Sequence, residues 1–465
     1  MTEHDIFAKH RPEVGDSETT GQNEFLVRHS QLRTLGGATL IWHGIAMRMK
    51  PEDFQMGTRI GLGANWPFGY DELERHYAKA EATLQVAGDA GDPGHPPRSS
   101  PFPLPAMPFE LDDGPFINAM RRRGATVQRQ CIARNTASIN GRSQCQSTGT
   151  CRYCPFGARF TGDQLLEDVA KRPGVQVISA TAALRLIFST QTSAAALEAR
   201  NTQSGKTIRI EADRFVVCGG GIESPKLLIN SRSRWWPSGV GNHGEMLGKF
   251  FFTHPLLVMM GRRSPNPKRV TKELGYPTAT SRYYDDAAFQ RDGKFTVQCW
   301  GLGHDLGTMM IDGAKRGDIE RRIEAENTTS LAILADEVPE AGNTVGLAAR
   351  VDRYGLPRTR IHYTWGARTH SQLARIKKAV TSLAGGSVWV PLAAMMDPSL
   401  ANWAPRAGER TPDWYLPVLA SRSVRCTPVL NSNSRFGENT SVGLRVCSSR
   451  IWNRLVPVAD SYTAM

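Results

Sequence analysis

The apolar positions of this chain follow several distinct rhythms. In DELERHYAKAEATLQ (71–85), Leu73, Tyr77, Ala80 and Leu84 recur at helical spacing, which predicts an amphipathic helix. Asp71 is placed to cap it, with Glu74 three residues on as its capping-box partner. Further helices are predicted over 114–124, 162–171 and 369–383. VQVISATAALRLIFS (175–189) alternates like paired strands. ALEARNTQSGKTIRIEADRFVVCGG (196–220) reads as a hairpin feeding a buried strand, Phe215 to Cys218, and Ser224 to Asn230 then starts a helix. Between about 255 and 363, PLLVMMG, KFTVQCWG, TSLAILAD, TVGLAAR and TRIHYTW predict a substantial, mostly antiparallel sheet. No internal repeat is found.

Other stretches lack such rhythm. Residues 1–30 read as a disordered or extended lead-in. QLRTLGGATLIWHGIAMRM (31–49) is a Gly-Gly turn followed by an apolar run, and 88–108 is a Gly- and Pro-rich loop. From about Ala384 the texture changes: residues 384–465 hold no lysine and no histidine but eight arginines.

Composition narrows the class. The 465 residues are 40% hydrophobic and 22% charged, ordinary globular material enough for two to four domains. No window approaches the roughly 20 apolar residues of a membrane-spanning helix. The polar opening has no apolar core of a secretory signal, so a cytoplasmic location is the expectation. The net charge of +13 comes from scattered basic residues. The densest triplet, Arg121, Arg122 and Arg123, lies in a predicted helix and reads as a solvated face, so no nucleic-acid partner is expected. Eight cysteines, three of them within ten residues, suggest metal or cluster ligation or free thiols rather than a disulfide framework.

The segment VVCGGGIESPKLLINS (216–231) carries the most chemistry. It reads as a strand, a glycine-rich turn and a helix start. Gly219, Gly220 and Gly221 allow close backbone approach, Pro225 suits a first helical turn, and free N–H groups at a helix start favour an anion. A tight structural turn and a cofactor site both satisfy this pattern.

This segment resembles the flavin-contacting signature of the glucose–methanol–choline (GMC) oxidoreductases, through Cys218-Gly219-Gly220-Gly221-Ile222-Glu223-Ser224-Pro225. LGGATLIWHG (35–44) is similar to that family's Gly-Gly loop along the flavin. RMKPEDF (48–54), NWPFGYDELERHYAKAE (65–81), CRYCPFGAR (151–159), GVGNHGEMLGKFFFTHP (239–255) and NTVGLAARVDRYGLP (343–357) follow in family order. The sugar and polyol dehydrogenase or pyranose oxidase-like branch is most similar. The resemblance implies FAD and oxidation of an alcohol or sugar CH–OH to a carbonyl, with FAD taking the hydride. It places Gly36, Gly37, Thr39 and Trp42 along the flavin, Gly219, Gly220 and Glu223 at the dinucleotide, and Leu184 at the adenine through its backbone. Ile41 stands where pyranose oxidase-like members can carry a flavin-linking histidine, so no covalent link is expected. His43 reads as a loop histidine.

The implied fold is an α/β flavoprotein, α+β in its two-domain form. An incomplete FAD-binding Rossmann-like domain would span 31–60 and 155–255. Covering and substrate segments would fill 61–154, and an antiparallel-sheet substrate domain 256–383. The lead-in 1–30 and an aberrant or diverged C-terminus, 384–465, flank them.

Two departures from the family shape the expectations. No G-x-G-x-x-G follows a strand; GLGANW (61–66) lacks the third glycine. A missed upstream start or a lost 5′ end would explain this, and weak or absent FAD binding is expected of the chain as it stands. The family's C-terminal catalytic histidine is also not found. The last histidine is His370, and neither His254 nor His304 matches the catalytic position. Asp397 and Asp413 show no sign of a tuned pKa. A frameshift near residue 384 fits the composition break. No catalytic residue is therefore assigned, and an impaired or inactive oxidoreductase is expected, with a catalytically dead remnant or scaffold as the alternative.

The cysteines open another route. Cys145, Cys151 and Cys154 are spaced C-x5-C-x2-C-Pro, which resembles iron–sulfur ligation, with Cys131 as a fourth ligand. Some GMC sugar dehydrogenases are similar here and pass electrons through a cluster to an acceptor subunit. Cys218 and Cys299 read as buried strand residues.

Overall fold

The computed structural model describes residues 10, 12, 16–21, 27, 31–61, 63–110, 113–122, 124–147, 154–262, 276–283, 293–301, 315–317, 328–383 and 390–391. The first elements in chain order are β1 (Ser17–Thr20), α1 (Met56–Ile60), α2 (Tyr70–Leu84), β2 (Ala87–Gly88), β3 (Leu104–Pro105), α3 (Gly114–Arg122) and β4 (Val127–Arg129). Next are α4 (Gly162–Ala170), β5 (Thr181–Phe188), β6 (Ala194–Asn201), β7 (Thr207–Glu211) and α5 (Gly220–Asn230). The last are β8 (Leu256–Arg262), β9 (Ala279–Tyr283), β10 (Phe295–Gly301), β11 (Thr328–Ala335), β12 (Thr344–Val351), β13 (Pro357–His362), α6 (Ala367–Leu383) and β14 (Val390–Pro391).

All five strands expected between 255 and 363 form, but they divide between two sheets. One has six strands in the order β14-β8-β11-β10-β9-β4, the other three in the order β1-β13-β12. The six-stranded sheet is antiparallel at every pairing. Strand alternation decides its two faces. Phe295, Val297 and Cys299 of β10 join Leu331, Ile333 and Ala335 of β11 in the main core. Phe116, Ile117 and Met120 of α3 and Leu373, Ile376 and Val380 of α6 complete that core. The edge strand β4 comes from the 61–154 segment, so that segment contributes to the sheet as well as covering it.

A third, three-stranded sheet, β5-β6-β7, backs onto Leu227 and Leu228 of α5. Among the described residues no helix is long and apolar enough to cross a membrane.

Several local expectations are corrected. Of the lead-in, expected to be disordered or extended, Ser17–Thr20 is extended, and what the sequence did not give is its partner: β1 pairs in parallel with β13, Ser17 opposite Thr359. Helix α2 begins at Tyr70, capped by Gly69, whose N–H donates to Glu72 Oε1 at 3.1 Å. Asp71 and Glu74 are not the cap, because Glu74 is drawn to Arg48 and Ser99 instead. Only Thr181–Phe188 of the 175–189 stretch is strand. Phe215 to Cys218 is none of the named strands: Phe215 and Val217 join the apolar cluster under β5–β7, while Val216 is 54% exposed and Cys218 is half-buried. Helix α5 starts earlier than expected, at Gly220, which leaves Pro225 inside it rather than in its first turn.

Candidate functional site

The Gly-Gly loop is tied to the segment leading into α4. Gly162 N donates to Thr39 Oγ1 at 2.7 Å, and Trp42 Nε1 donates to Phe160 O at 2.8 Å. Arg159 donates to Trp42 O at 2.7 Å and to Leu40 O at 2.6 Å. Gly36, Gly37, Thr39 and Trp42 are thus brought together as one braced loop. Gly36 has φ +87°, and a Cβ there would lie 2.9 Å from the Asp163 backbone nitrogen. Close packing on α4 therefore demands this glycine whatever the loop binds. Gly36→Ala is expected to destabilise the fold by about 1–3 kcal/mol, read from its urea midpoint.

The second group of expected residues lies at the start of α5. Gly219 N donates to Ser224 Oγ at 2.9 Å. Gly220 is buried with φ +70°, and the Glu223 carboxylate is held by Lys226 Nζ at 2.9 Å. Gly221 differs from Gly219, where a Cβ would lie 3.0 Å from Ser224 N: a Cβ at Gly221 would meet nothing within 4 Å. That open side of a helix start fits the approach of a dinucleotide. Leu184 falls at a slip in the β5–β6 register, between Ala183 and Arg185. Its carbonyl accepts from Asn230 Nδ2 at 2.8 Å, and a carbonyl oxygen can accept a second bond.

A buried charge cluster holds α2 against the strip that follows the Gly-Gly loop. Glu81 accepts from Arg48 Nε and Nη2, both at 2.8 Å, and from Arg98 Nη1 at 3.1 Å and Nη2 at 2.6 Å. Arg48 also donates to Glu74 at 2.8 Å and to the Tyr70 hydroxyl at 3.0 Å. Burial works against the Arg48 charge, but Glu81, Tyr70 and Glu74 outweigh it and raise its pKa. The Ser99 hydroxyl and N–H, with Arg48, hold Glu74 down to about 2. The Arg48 carbonyl accepts from Arg282 Nη2 at 2.9 Å, which ties this strip to β9.

The face of the six-stranded sheet opposite its core is polar yet enclosed. Gln128, Thr280 and Gln298 stand in register across β4, β9 and β10 and are each at most 1% exposed. Two residues beyond Gln298, Trp300 lies edge-to-face with His43, ring centroids 4.6 Å apart. His43 is therefore more than a loop histidine: it brings the Gly-Gly loop onto the sheet. Sequence reading missed Gln298 and Trp300, although the polar alternation of Thr296, Gln298 and Trp300 in KFTVQCWG marks that face.

Among the described residues the cysteines form no cluster site. Cys145 Sγ lies 3.8 Å from Arg134 Nη1 and 3.7 Å from the Tyr276 hydroxyl. Burial pushes its thiol up, but Arg134, the Ser147 N–H and Tyr276 outweigh burial and lower its pKa. Cys131 faces His95 Nδ1 at 3.9 Å, and burial pushes it up to about 12. Cys154 accepts from Arg159 N at 3.5 Å. Cys151 lies outside the described residues. Among those described, no three His, Cys, Asp or Glu side chains form a set that could hold a metal, so they do not fit a cluster. Cys299 is buried in its strand, as expected. His370 stacks edge-on to Trp365, and His304, Asp397 and Asp413 lie outside the described residues.

A mixed fold of helices with an antiparallel sheet agrees with the fold class the sequence implied. The GMC oxidoreductase profile matches residues 14–256, more than half of the chain. This chain belongs to the GMC oxidoreductase family. It is 28% identical over 374 residues to the fructose dehydrogenase large subunit of Gluconobacter japonicus, covering 78% of this chain and 68% of that protein. It is also 28% identical over 357 residues to paromamine 6'-oxidase of Streptomyces fradiae, covering 73% and 61% respectively. A solved formate oxidase of Aspergillus oryzae matches over 77% of this chain and 67% of that one, with 12% identity and a TM-score of 0.48. The chain thus spans about two thirds of the length of these relatives.

Proposed function

We propose that this chain holds the flavin loop and the substrate sheet of an FAD-dependent oxidoreductase that oxidises the CH–OH group of a sugar, polyol or other alcohol to a carbonyl. The observation that carries this reading is the meeting of the family's Gly-Gly loop with the polar sheet face, through His43 and Trp300. FAD, when bound, would supply the hydride acceptor. Gly36, Gly37, Thr39 and Trp42 would line its ring system. Gly219, Gly220 and Glu223 would lie along the dinucleotide, with the Leu184 backbone at the adenine. Arg159, Thr39 and Trp42 keep the loop from moving as substrate arrives, which favours orientation over reorganisation. The Gluconobacter relative is the large subunit of a fructose dehydrogenase, which supports an electron-acceptor subunit as a partner.

Gly221 gives the test. Because its missing Cβ faces open space, Gly221→Ala is expected to leave the fold intact and stabilise α5 by about 0.5–1 kcal/mol through helix propensity. The same methyl group would stand where the dinucleotide approaches, so FAD affinity is expected to fall about tenfold or more. Titration of the full chain with FAD, followed by quenching of flavin fluorescence, measures this. Parent affinity is expected to be weak, because no G-x-G-x-x-G follows a strand; equal FAD affinity in both proteins, or none in the parent at any concentration, overturns the reading.

A further inference from the structure

Strand β10 begins immediately after Lys294, and β11 ends immediately before Asp336. The two residues meet where that ladder runs out, one step beyond the pair Phe295 and Ala335. Asp336 N donates to Lys294 O at 2.8 Å, but the return bond goes to the side chain: Lys294 N donates to Asp336 Oδ2 at 3.1 Å. Lys294 is 2% exposed, and its Nζ donates to Asp53 Oδ1 at 2.8 Å. Asp53 belongs to the short turn Pro51–Gln55, in the strip that follows the Gly-Gly loop, and its Oδ2 accepts from Lys50 N at 2.7 Å. Asp53 and Asp336 thus converge on one lysine from segments distant in sequence.

The strip is held to the sheet at this joint and at the Arg48 carbonyl, which accepts from Arg282 Nη2. The charges that act on Asp336 are those of Asp53, Lys294 and Arg282. Burial pushes the Asp336 carboxyl up to about 7; the Asp53 charge adds to the rise, and Lys294 and Arg282 oppose it. While Asp336 keeps its proton, the Lys294 ammonium is matched to the Asp53 carboxylate. Once that proton leaves, two negative charges compete for the ammonium in an enclosed place, which weakens the Asp53 contact. Glu337, the next residue, bonds instead to Thr253 and Tyr363. Its nearest charged neighbour is Glu340, outside this joint.

We propose that Asp53, Lys294 and Asp336 form an acid-tightened latch that fastens the strip after the Gly-Gly loop to the end of the six-stranded sheet. The strip continues directly from that loop, so the latch restrains the loop whatever the loop binds.

The direction follows from linkage. Opening the latch exposes Asp336 to water and returns its carboxyl toward 3.8. Between that pH and about 7 each opening therefore releases a proton to solvent. The latch is strongest toward acid and weakens as pH rises to about 7. Above that pH neither state holds the proton, and the latch stays at its weaker level.

Hydrogen exchange of the full chain, read by mass spectrometry and divided by the intrinsic rate at each pH, tests this. The peptide over 48–54 reports the latch, and the peptide over 295–299 in β10 reports global unfolding. Between about pH 5 and pH 7 the opening constant of 48–54 is expected to rise by up to about tenfold per pH unit, then level off. It should exceed the opening constant of 295–299 throughout. Asp336→Asn stands in for the protonated acid and cannot ionise. In that variant the rise should vanish, leaving 48–54 about tenfold or more better protected than the parent at about pH 7. Glu337→Gln should leave the rise in place. A flat parent profile overturns the latch, as does equal opening of 48–54 and 295–299 at every pH. A rise that survives Asp336→Asn, or one that Glu337→Gln abolishes, overturns the assignment to Asp336. If Asp336→Asn fails to fold, the parent profile and Glu337→Gln decide.

Discussion

Replacing Glu81 with alanine is expected to cost the fold about 3–5 kcal/mol, the range for removing one partner of a buried ion pair. The Glu81 side chain is only 2% exposed, and its carboxylate serves two guanidinium groups at once. Without it, Arg48 and Arg98 remain charged, with side chains 2% and 6% exposed, and four hydrogen bonds disappear. Glu74 alone cannot compensate, since its contacts with Arg48 and Ser99 are already made. Urea unfolding measures the loss. A change below about 1 kcal/mol, the size found for exposed pairs, would mean that water reaches this cluster. The Arg48 carbonyl also holds Arg282, so the variant should loosen the strip after the Gly-Gly loop against the sheet.

The second large effect is a stability that falls as pH rises. Glu337 is 8% exposed, and burial pushes its carboxyl up to about 7, against the opposing pull of the Thr253 N–H and the Tyr363 hydroxyl. Both of those groups donate to Oε2, at 2.9 and 2.7 Å, while Oε1 has no partner. The folded protein therefore keeps a proton that the unfolded chain releases from about 4.5 upward. Stability from this group is fully present below pH 4.5 and is lost as pH rises to about 7. That gap corresponds to about 3 kcal/mol. Glu337→Gln keeps the shape without the titration. It is expected to reduce the pH dependence, leaving the part due to Asp336, whose carboxyl burial also pushes up to about 7, and to be the more stable protein above pH 7. Urea midpoints of both proteins between pH 4.5 and 8 check this. Parallel curves would show that Glu337 ionises in the folded state as freely as in water.

Particular elements show what could be read in advance. The α2 helix follows from the spacing of its apolar residues, but not its cap. A Ser, Thr, Asp or Asn was the natural cap to expect, and tertiary pull on Glu74 left that task to Gly69 and Glu72. The strands β8, β10, β11, β12 and β13 were legible because each carries its own run of apolar and β-branched residues. Their division between two sheets was not legible, because pairing partners come from segments distant in sequence, such as β1 with β13 and β4 with β9. The exposure of Val216 is another such case, since an apolar run does not state what will cover it.

The candidate site divides in the same way. Gly36, Gly37, Thr39, Trp42, Gly219, Gly220 and Glu223 were proposed for the cofactor from short contiguous motifs that resemble the family's. Their chemistry depends on local backbone shape, which neighbouring residues encode. The meeting of His43 with Trp300, the clasp of Glu81 on Arg48 and Arg98, and the hold of Lys294 on Asp53 had no local signature. Periodicity fixes which residues share a face of one helix or strand. Which faces then meet, and which polar groups are sealed from water between them, is decided by packing across the whole chain, where burial sets the energy of every charge and hydrogen bond.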